Sequence, residues 1–347
     1  MKKIFNLILI LLISTIMYSK EISFFGKVDV KNYYCNNILK LSSHDISRFK
    51  DGNETDKFKI DTIDDLITSA KCELGIRHKA IAGHTQIDLL EIRYNKYWNN
   101  DIKNDGNISF SIKQFFSRKL NIAICYSYYP EIYLNRYESV LDEEAIYRDF
   151  TYSKNVYNGR IFWKFHSIMN LKYELTFSQL FYNKYFTEYD ADNIENLVGL
   201  NIKPDKKVRV NLNYYYKNSN ADAEKAFNDI EDISVVKDAS YGSNKYEMII
   251  SVPDLLFLFS KPILLNSSFN YEIRYFQSEN ENDEFHYARE DNIINLKANI
   301  KYSLNKKSKL STFYKYEKRD ASSPFKNVER DKTYSLYEAG FVISYSI

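Results

Sequence analysis

Five histidines, His44, His78, His84, His166 and His286, are the side chains best suited to move a proton or hold a metal ion in this chain. None stands in an HExxH or HxH spacing, so the sequence places no two imidazoles for one ion. Nucleophilic catalysis needs a serine or cysteine within hydrogen-bond reach of a base, plus a donor for the oxyanion. Ser42–Ser43–His44 and Glu284–His286 supply the residue types without a motif that fixes their geometry. His84 shares a two-residue parity with Gln86 and Asp88, which on a strand would set a His/Asp pair on one face. His78 and His166 fall at expected turns, where an imidazole is most simply a polar surface group. No glycine-rich phosphate loop occurs, and Cys35, Cys72 and Cys125 are widely spaced and odd in number, so no disulfide framework is indicated. The sequence therefore implies no catalytic residue, no cofactor and no metal site.

Three stretches are strongly acidic. They hold Glu138, Asp142, Glu143, Glu144 and Asp149; Asp222, Glu224, Asp229, Glu231, Asp232 and Asp238; and Glu279, Glu281, Asp283, Glu284, Glu290 and Asp291. Carboxylates can bind hard divalent cations, but none of these runs has an EF-hand or nonapeptide spacing. Solvation of exposed loops explains them more cheaply.

The elements that would carry these residues are strands. Tyr337, Ala339, Phe341, Ile343, Tyr345 and Ile347 share one parity near the chain's end, with Glu338, Gly340, Val342, Ser344 and Ser346 on the other. Side chains of a strand alternate between faces, so this is one greasy and one polar face. The same alternation recurs at Ile22–Val30, Leu66–Arg77, Gly83–Tyr94, Ile108–Phe116 and Leu120–Tyr128. It returns at 157–165, 171–178, 198–202, 208–216, 246–252, 265–275, 294–304 and 310–316. The parity of Gly83–Tyr94 slips near Leu89–Leu90, which predicts a bulge. The reading gives about fourteen strands, with twelve or sixteen as the neighbouring counts. Long polar connections near 35–63, 95–106, 134–146, 184–193, 218–241, 277–290 and 319–332 alternate with short turns. One such turn is expected at Pro253–Pro262.

The polar parity of these strands, leaving out the bulged one, is rich in charge. It carries Lys27, Lys31, Lys71, Arg77, Lys113, Arg160, Lys164, Lys172, Arg209, Lys245, Arg274, Lys297, Lys301 and Lys315. Seven acids oppose these fourteen: Asp29, Glu73, Glu174, Glu247, Glu272, Glu317 and Glu338. So many charges could not be buried dry, whereas a water-filled interior hydrates them.

Residues 1–19 read as a secretory signal peptide, with Lys2 and Lys3 before an apolar run at Ile4–Met17. They contain two of the 48 Lys and Arg and none of the 46 Asp and Glu, so the remainder, 20–347, is formally neutral. That neutrality removes the usual electrostatic support for nucleic-acid binding. No later apolar run is long enough for a membrane-spanning helix. With 31 Tyr and 23 Phe, the chain has the aromatics to line the interfaces of a bilayer.

In its alternation, its long/short loop rhythm and its amphipathic final strand, the chain resembles the porin-like β-barrels of the bacterial outer membrane. That resemblance implies an all-β, antiparallel, up-and-down transmembrane barrel in the outer membrane of a Gram-negative bacterium. Its partners would be outer-membrane lipid, the barrel assembly machinery and small hydrophilic solutes, with the oligomeric state left open. The expected function is passive diffusion through the lumen. Fourteen basic against seven acidic lining groups predict a mild preference for anions. The alternatives are a surface barrel that binds or adheres through its acidic loops, and a barrel lipase or protease.

Overall fold

The computed structural model describes residues 22–53, 55–138, 146–205, 207–221, 237–258 and 261–347. The expected signal peptide lies outside them, as do Asp142, Glu143, Glu144 and the acids of 222–236. Fourteen strands follow in order: β1 (Ser23–Cys35), β2 (Asp65–Lys79), β3 (Thr85–Tyr97), β4 (Asp105–Phe115), β5 (Leu120–Glu138), β6 (Tyr147–Trp163) and β7 (Met169–Tyr182). Then come β8 (Ala191–Ile202), β9 (Arg209–Ala221), β10 (Tyr241–Leu258), β11 (Lys261–Phe276), β12 (Glu290–Ser303), β13 (Ser308–Ser322) and β14 (Tyr334–Ser346). Two short helices, α1 (Ser43–Lys50) and α2 (Lys326–Lys332), sit in the first and last long connections.

Each strand pairs antiparallel with the next, and β14 returns to β1 through Val28↔Tyr345 and Asn32↔Phe341. The sheet is a closed barrel without a free edge. Closure needs a small residue at the seam. A Cβ on Gly340 would lie 2.2 Å from the Asn32 carbonyl oxygen and 2.5 Å from the Tyr33 Cβ.

The greasy parity faces outward. Leu74 and Ile124 are each 56% exposed, and Ile92, Ile161, Ile194, Leu212, Met248, Leu296 and Ile343 continue the same band. A continuous exposed band of this kind suits hydrocarbon, and strands of a closed barrel can cross it because every backbone group is paired. Three of the short turns share one device. An Asp, Asn or Ser side chain accepts backbone N–H groups just ahead of it: Asp205 from Val208, Asn305 from Ser308, and Ser117 from Leu120.

Two local expectations are corrected. β3 keeps one unbroken register with β2 (Asp88↔Ile76, Glu91↔Glu73) and with β4, so there is no bulge at Leu89–Leu90. What slips is polarity: Ile87 and Leu89 face inward while Gln86 and Asp88 take the outward parity. The region 253–262 is also not a simple turn. β10 runs on to Leu258 and re-pairs with β11 at Leu256↔Ile263 after a register shift. Asp254, at φ 58°, absorbs the irregularity, and Pro253 is tolerated because β10 has already parted from β9 at Ser251↔Arg209.

Candidate functional site: the lumen and its cap

Inward parity gathers most of the expected lining residues on one surface. Around β1–β3, Lys27 meets Asp29 at 2.6 Å, and Lys71 lies 3.2 Å from Asp29 and 3.6 Å from Glu91 while also bonding Glu73. Arg93 pairs with Glu91 at 3.0 Å. On β13–β14, Lys315 holds Glu338 and Glu317, each at 3.1 Å, with Lys31 3.8 Å from Glu338. Across the barrel, Glu174 takes Arg160 at 2.8 Å and Lys172 at 3.0 Å, and Arg274 reaches Glu272 at 2.6 Å. Glu247 accepts from Asn213 at 2.6 Å and from the Tyr215 hydroxyl at 2.9 Å.

The seven expected acids are all engaged, but the cations are not. Among the described residues, Lys113, Lys154, Lys217, Lys245, Lys297 and Lys301 make no ion pair. Several rest over inward rings instead: Lys245 3.7 Å from the centre of Tyr215, Lys113 4.9 Å from Phe115 and Lys297 5.9 Å from Phe313. Arg77 and Arg209 lie near the short-turn ends of β2 and β9, and Lys164 is in the exposed turn after β6 rather than on a strand. Sequence reasoning missed Glu91 and Arg93, because it set β3 aside. It also missed Lys154 and Lys217 and the inward rings Tyr33, Tyr97, Tyr215 and Phe313. Alternate spacing alone could have found them.

At the long-loop end the barrel is capped. The 36–64 segment turns inward, and Ile38, Leu41, Phe58 and Ile60 pack with Cys35 and Ile67 as a small core, against Tyr33, Tyr97 and Ile102. From there it reaches opposite sides of the wall. Lys40 bonds Glu317 on β13 at 2.6 Å, and Lys59 bonds Asp149 on β6 at 3.0 Å. Phe150 of β6 packs edge-on against Tyr137, Phe186 and Tyr189 and at a tilt against Tyr182, at ring separations between 4.8 and 5.1 Å. Tyr189 in turn meets His286, and Lys332 of α2 lies 5.2 Å from the Tyr137 ring and 5.0 Å from Phe285. Five connections thus interlock across one mouth.

Desolvation shows in the cap's titrating groups. Burial pushes Glu188 up to about 7 and Lys103 down to about 8. It also lowers His286 and Lys332, against the pull of Asp283 and of Tyr137 respectively.

The groups singled out for catalysis have structural partners here. Ser42 caps α1, its hydroxyl accepting the Asp45 N–H at 3.0 Å, so Ser42–Ser43–His44 is a helix start. His286 bonds Asp283 at 3.0 Å, whereas Glu284 accepts from Asn327. The pairing with Asp88 belongs to His78, not His84. His78 Nε2 lies 2.8 Å from Asp88 Oδ2, and Gln86 donates to Asp88 Oδ1 at 2.8 Å. The other His78 nitrogen faces the Lys79 carbonyl at 3.3 Å, so both ring nitrogens of His78 are engaged. Most acids near 279–291 are also occupied, Asp291 by Arg289 at 2.7 and 2.8 Å and Glu290 by Asn292 at 2.9 Å.

A closed fourteen-strand barrel, apolar outside and charged inside, has the architecture of the porin-like outer-membrane barrels that its alternation pointed to. No family model matches the chain, and no curated protein matches its sequence. Solved structures similar to it include the outer membrane channel DcaP of Acinetobacter baumannii, at 11% identity and a TM-score of 0.48, covering 94% of this chain and 97% of that one. An anion-selective porin from Comamonas acidovorans is similar at 9% identity and a TM-score of 0.45, over 94% and 99% of the two chains. A bacterial polysaccharide outer membrane secretin gives 10% and 0.46, over 93% and 98%.

Proposed function

We propose that this protein is an outer-membrane channel for small hydrophilic solutes, mildly favouring anions, with its external mouth closed by its own loops. The observation that carries the reading is the asymmetry of the lumen. Six of its seven expected acids are paired with cations and Glu247 is held by neutral donors, while six lysines make no ion pair among the described residues. Unpaired ammonium groups in a dry core would cost several kcal/mol each, so water and mobile anions must reach them. Low-dielectric walls focus that residual positive field along the path.

Outer-membrane barrels keep short turns in the periplasm and long loops outside. This orientation would make the cap external, and it goes with secretion through residues 1–19 and insertion by the assembly machinery. The test of selectivity is the reversal potential of the purified barrel in a planar bilayer under a salt gradient. An anion-side potential that moves toward zero in Lys245→Gln/Lys297→Gln/Lys301→Gln supports the reading. A cation-side potential in the wild type contradicts it.

A second reading, a surface-binding barrel with a plugged lumen, draws on one specific observation, the interlocked cap. Absence of any conductance, before and after removal of residues 37–63, would favour it over the channel.

A further inference from the structure

On the inward side of β2–β4, at the short-turn rim, lies a cavity of about 630 Å³ lined by Arg77, Lys79, His84, Arg118, Ile87 and Phe115. Its chemistry differs from the rest of the lumen. Ile87 and Phe115 occupy inward positions and make an apolar floor, where most of the barrel sets charges. Arg77 stands directly beside Ile87 in the β2–β3 register, and Lys113 flanks the same residue from β4. Arg118 enters from the β4–β5 turn. No carboxylate lines the cavity. The nearby Asp88 is held on the opposite parity by His78 and Gln86. Among the described residues, neither Arg77 nor Arg118 makes an ion pair.

Two guanidinium groups beside a third cation repel one another, and an anion between them relieves that repulsion. The guanidinium fork matches the oxygens of a carboxylate or phosphate in a bidentate way. A bare inorganic ion would leave the floor of Ile87 and Phe115 wetted, whereas an apolar substituent removes it from water. The volume falls within the range of small-molecule sites, roughly 300–1,000 Å³. We infer that this rim cavity binds an amphipathic organic anion, a carboxylate or phosphate monoester carrying an apolar group. The anion could come from solution or from the headgroup of a neighbouring lipid. The inference does not depend on conduction.

The test is calorimetric titration of the folded full-length barrel in a neutral detergent, with phenyl phosphate, inorganic phosphate and benzyl alcohol as probes. Phenyl phosphate should bind at least about tenfold more tightly than either of the others, since only it meets both the charge and the floor. Arg77→Gln/Arg118→Gln should weaken phenyl phosphate by at least about tenfold. Phe115→Ser should reduce its affinity to that of inorganic phosphate. Heat-modifiable gel mobility checks that each variant is folded. If the double variant does not fold, Arg77→Lys and Arg118→Lys keep the charge, lose the fork and should each weaken binding several-fold. Equal binding of phenyl and inorganic phosphate would overturn the proposal, as would unchanged binding in the arginine variants. Repeating the titration in nanodiscs of phosphatidylcholine and of phosphatidylglycerol identifies the source. Competition by the anionic lipid supports a headgroup in the site, and equal affinity in both supports a soluble anion. Binding without any current, with residues 37–63 present or removed, would keep this site and overturn the channel reading instead.

Discussion

The two ends of this barrel use the same strands and the same inward parity for opposite purposes. At the long-loop end, inward positions hold rings and loops that exclude water, and each charge there has been matched or desolvated. Glu317 is shared by Lys40, Lys315 and the Tyr334 hydroxyl, and Asp291 by Arg289 and Arg319. From mid-barrel to the short-turn rim the inward cations outnumber their partners and remain hydrated. Lining a lumen with charge therefore does not by itself make a pore. What decides is whether loops above supply enough apolar surface to close over it.

The sharpest way to break that contrast is one substitution made in both regions. Phe150→Ala removes the ring around which the cap's aromatics assemble, and should cost about 3–5 kcal/mol. Phe115→Ala, at the open rim, should cost about 1 kcal/mol or less, because water can fill the space. Equal losses in thermal unfolding would show that the two ends are packed alike. A smaller effect is expected from Glu317→Gln, which leaves Lys40 and Lys315 without their shared carboxylate. Lys40 is half exposed, so solvent screens its share, and roughly 1–2 kcal/mol is expected, read as a lower melting temperature that high salt partly masks.

Smaller still is the pH response of the cap. Glu188 holds its proton to about pH 7 in the closed cap, against an ordinary value near 4.5. The closed form thus binds a proton that the opened form releases. Its contribution to closure is complete below about pH 4.5 and is lost as the pH rises through 7. Lys237 lowers this value and Asp190 raises it. His286 acts in the other direction, since its closed form resists protonation and acid below its usual range works against closure. Melting temperatures of wild type and Glu188→Gln at pH 5 and pH 7.5 isolate the first effect. The variant should lose less stability than the wild type between those two values, and identical slopes would contradict the assignment.

The strand order was legible because period-two alternation survives in nearly every strand, from Tyr157–Trp163 to Phe341–Tyr345. Strand β3 was misjudged because parity was inferred from polarity. Ile87 and Leu89 face in, while His78, Gln86, Asp88 and Gln114 take the outward parity of Leu74 and Ile92 and are nonetheless buried. Hydrogen bonds among His78, Asp88 and Gln86, and from Gln114 to the Thr85 and Phe115 carbonyls, set that local arrangement rather than hydropathy. The cap was illegible for another reason. Ile38, Leu41, Phe58 and Ile60 are scattered through a polar stretch, and their burial depends on partners as distant in sequence as Glu317 and Asp149. The lumen lay between these cases: the cations could be placed by parity, but which of them lack partners is a property of cross-strand register.

In the proposed channel, loops close the outer end while unpaired lysines below set the selectivity. Single-channel recording in a salt gradient, comparing wild type with a variant in which a short Gly/Ser linker replaces residues 37–63, tests it most directly. Conductance should rise by roughly an order of magnitude as the constriction is removed, while the reversal potential stays on the anion side. Unchanged conductance, or a reversal potential that crosses to the cation side, would contradict the claim.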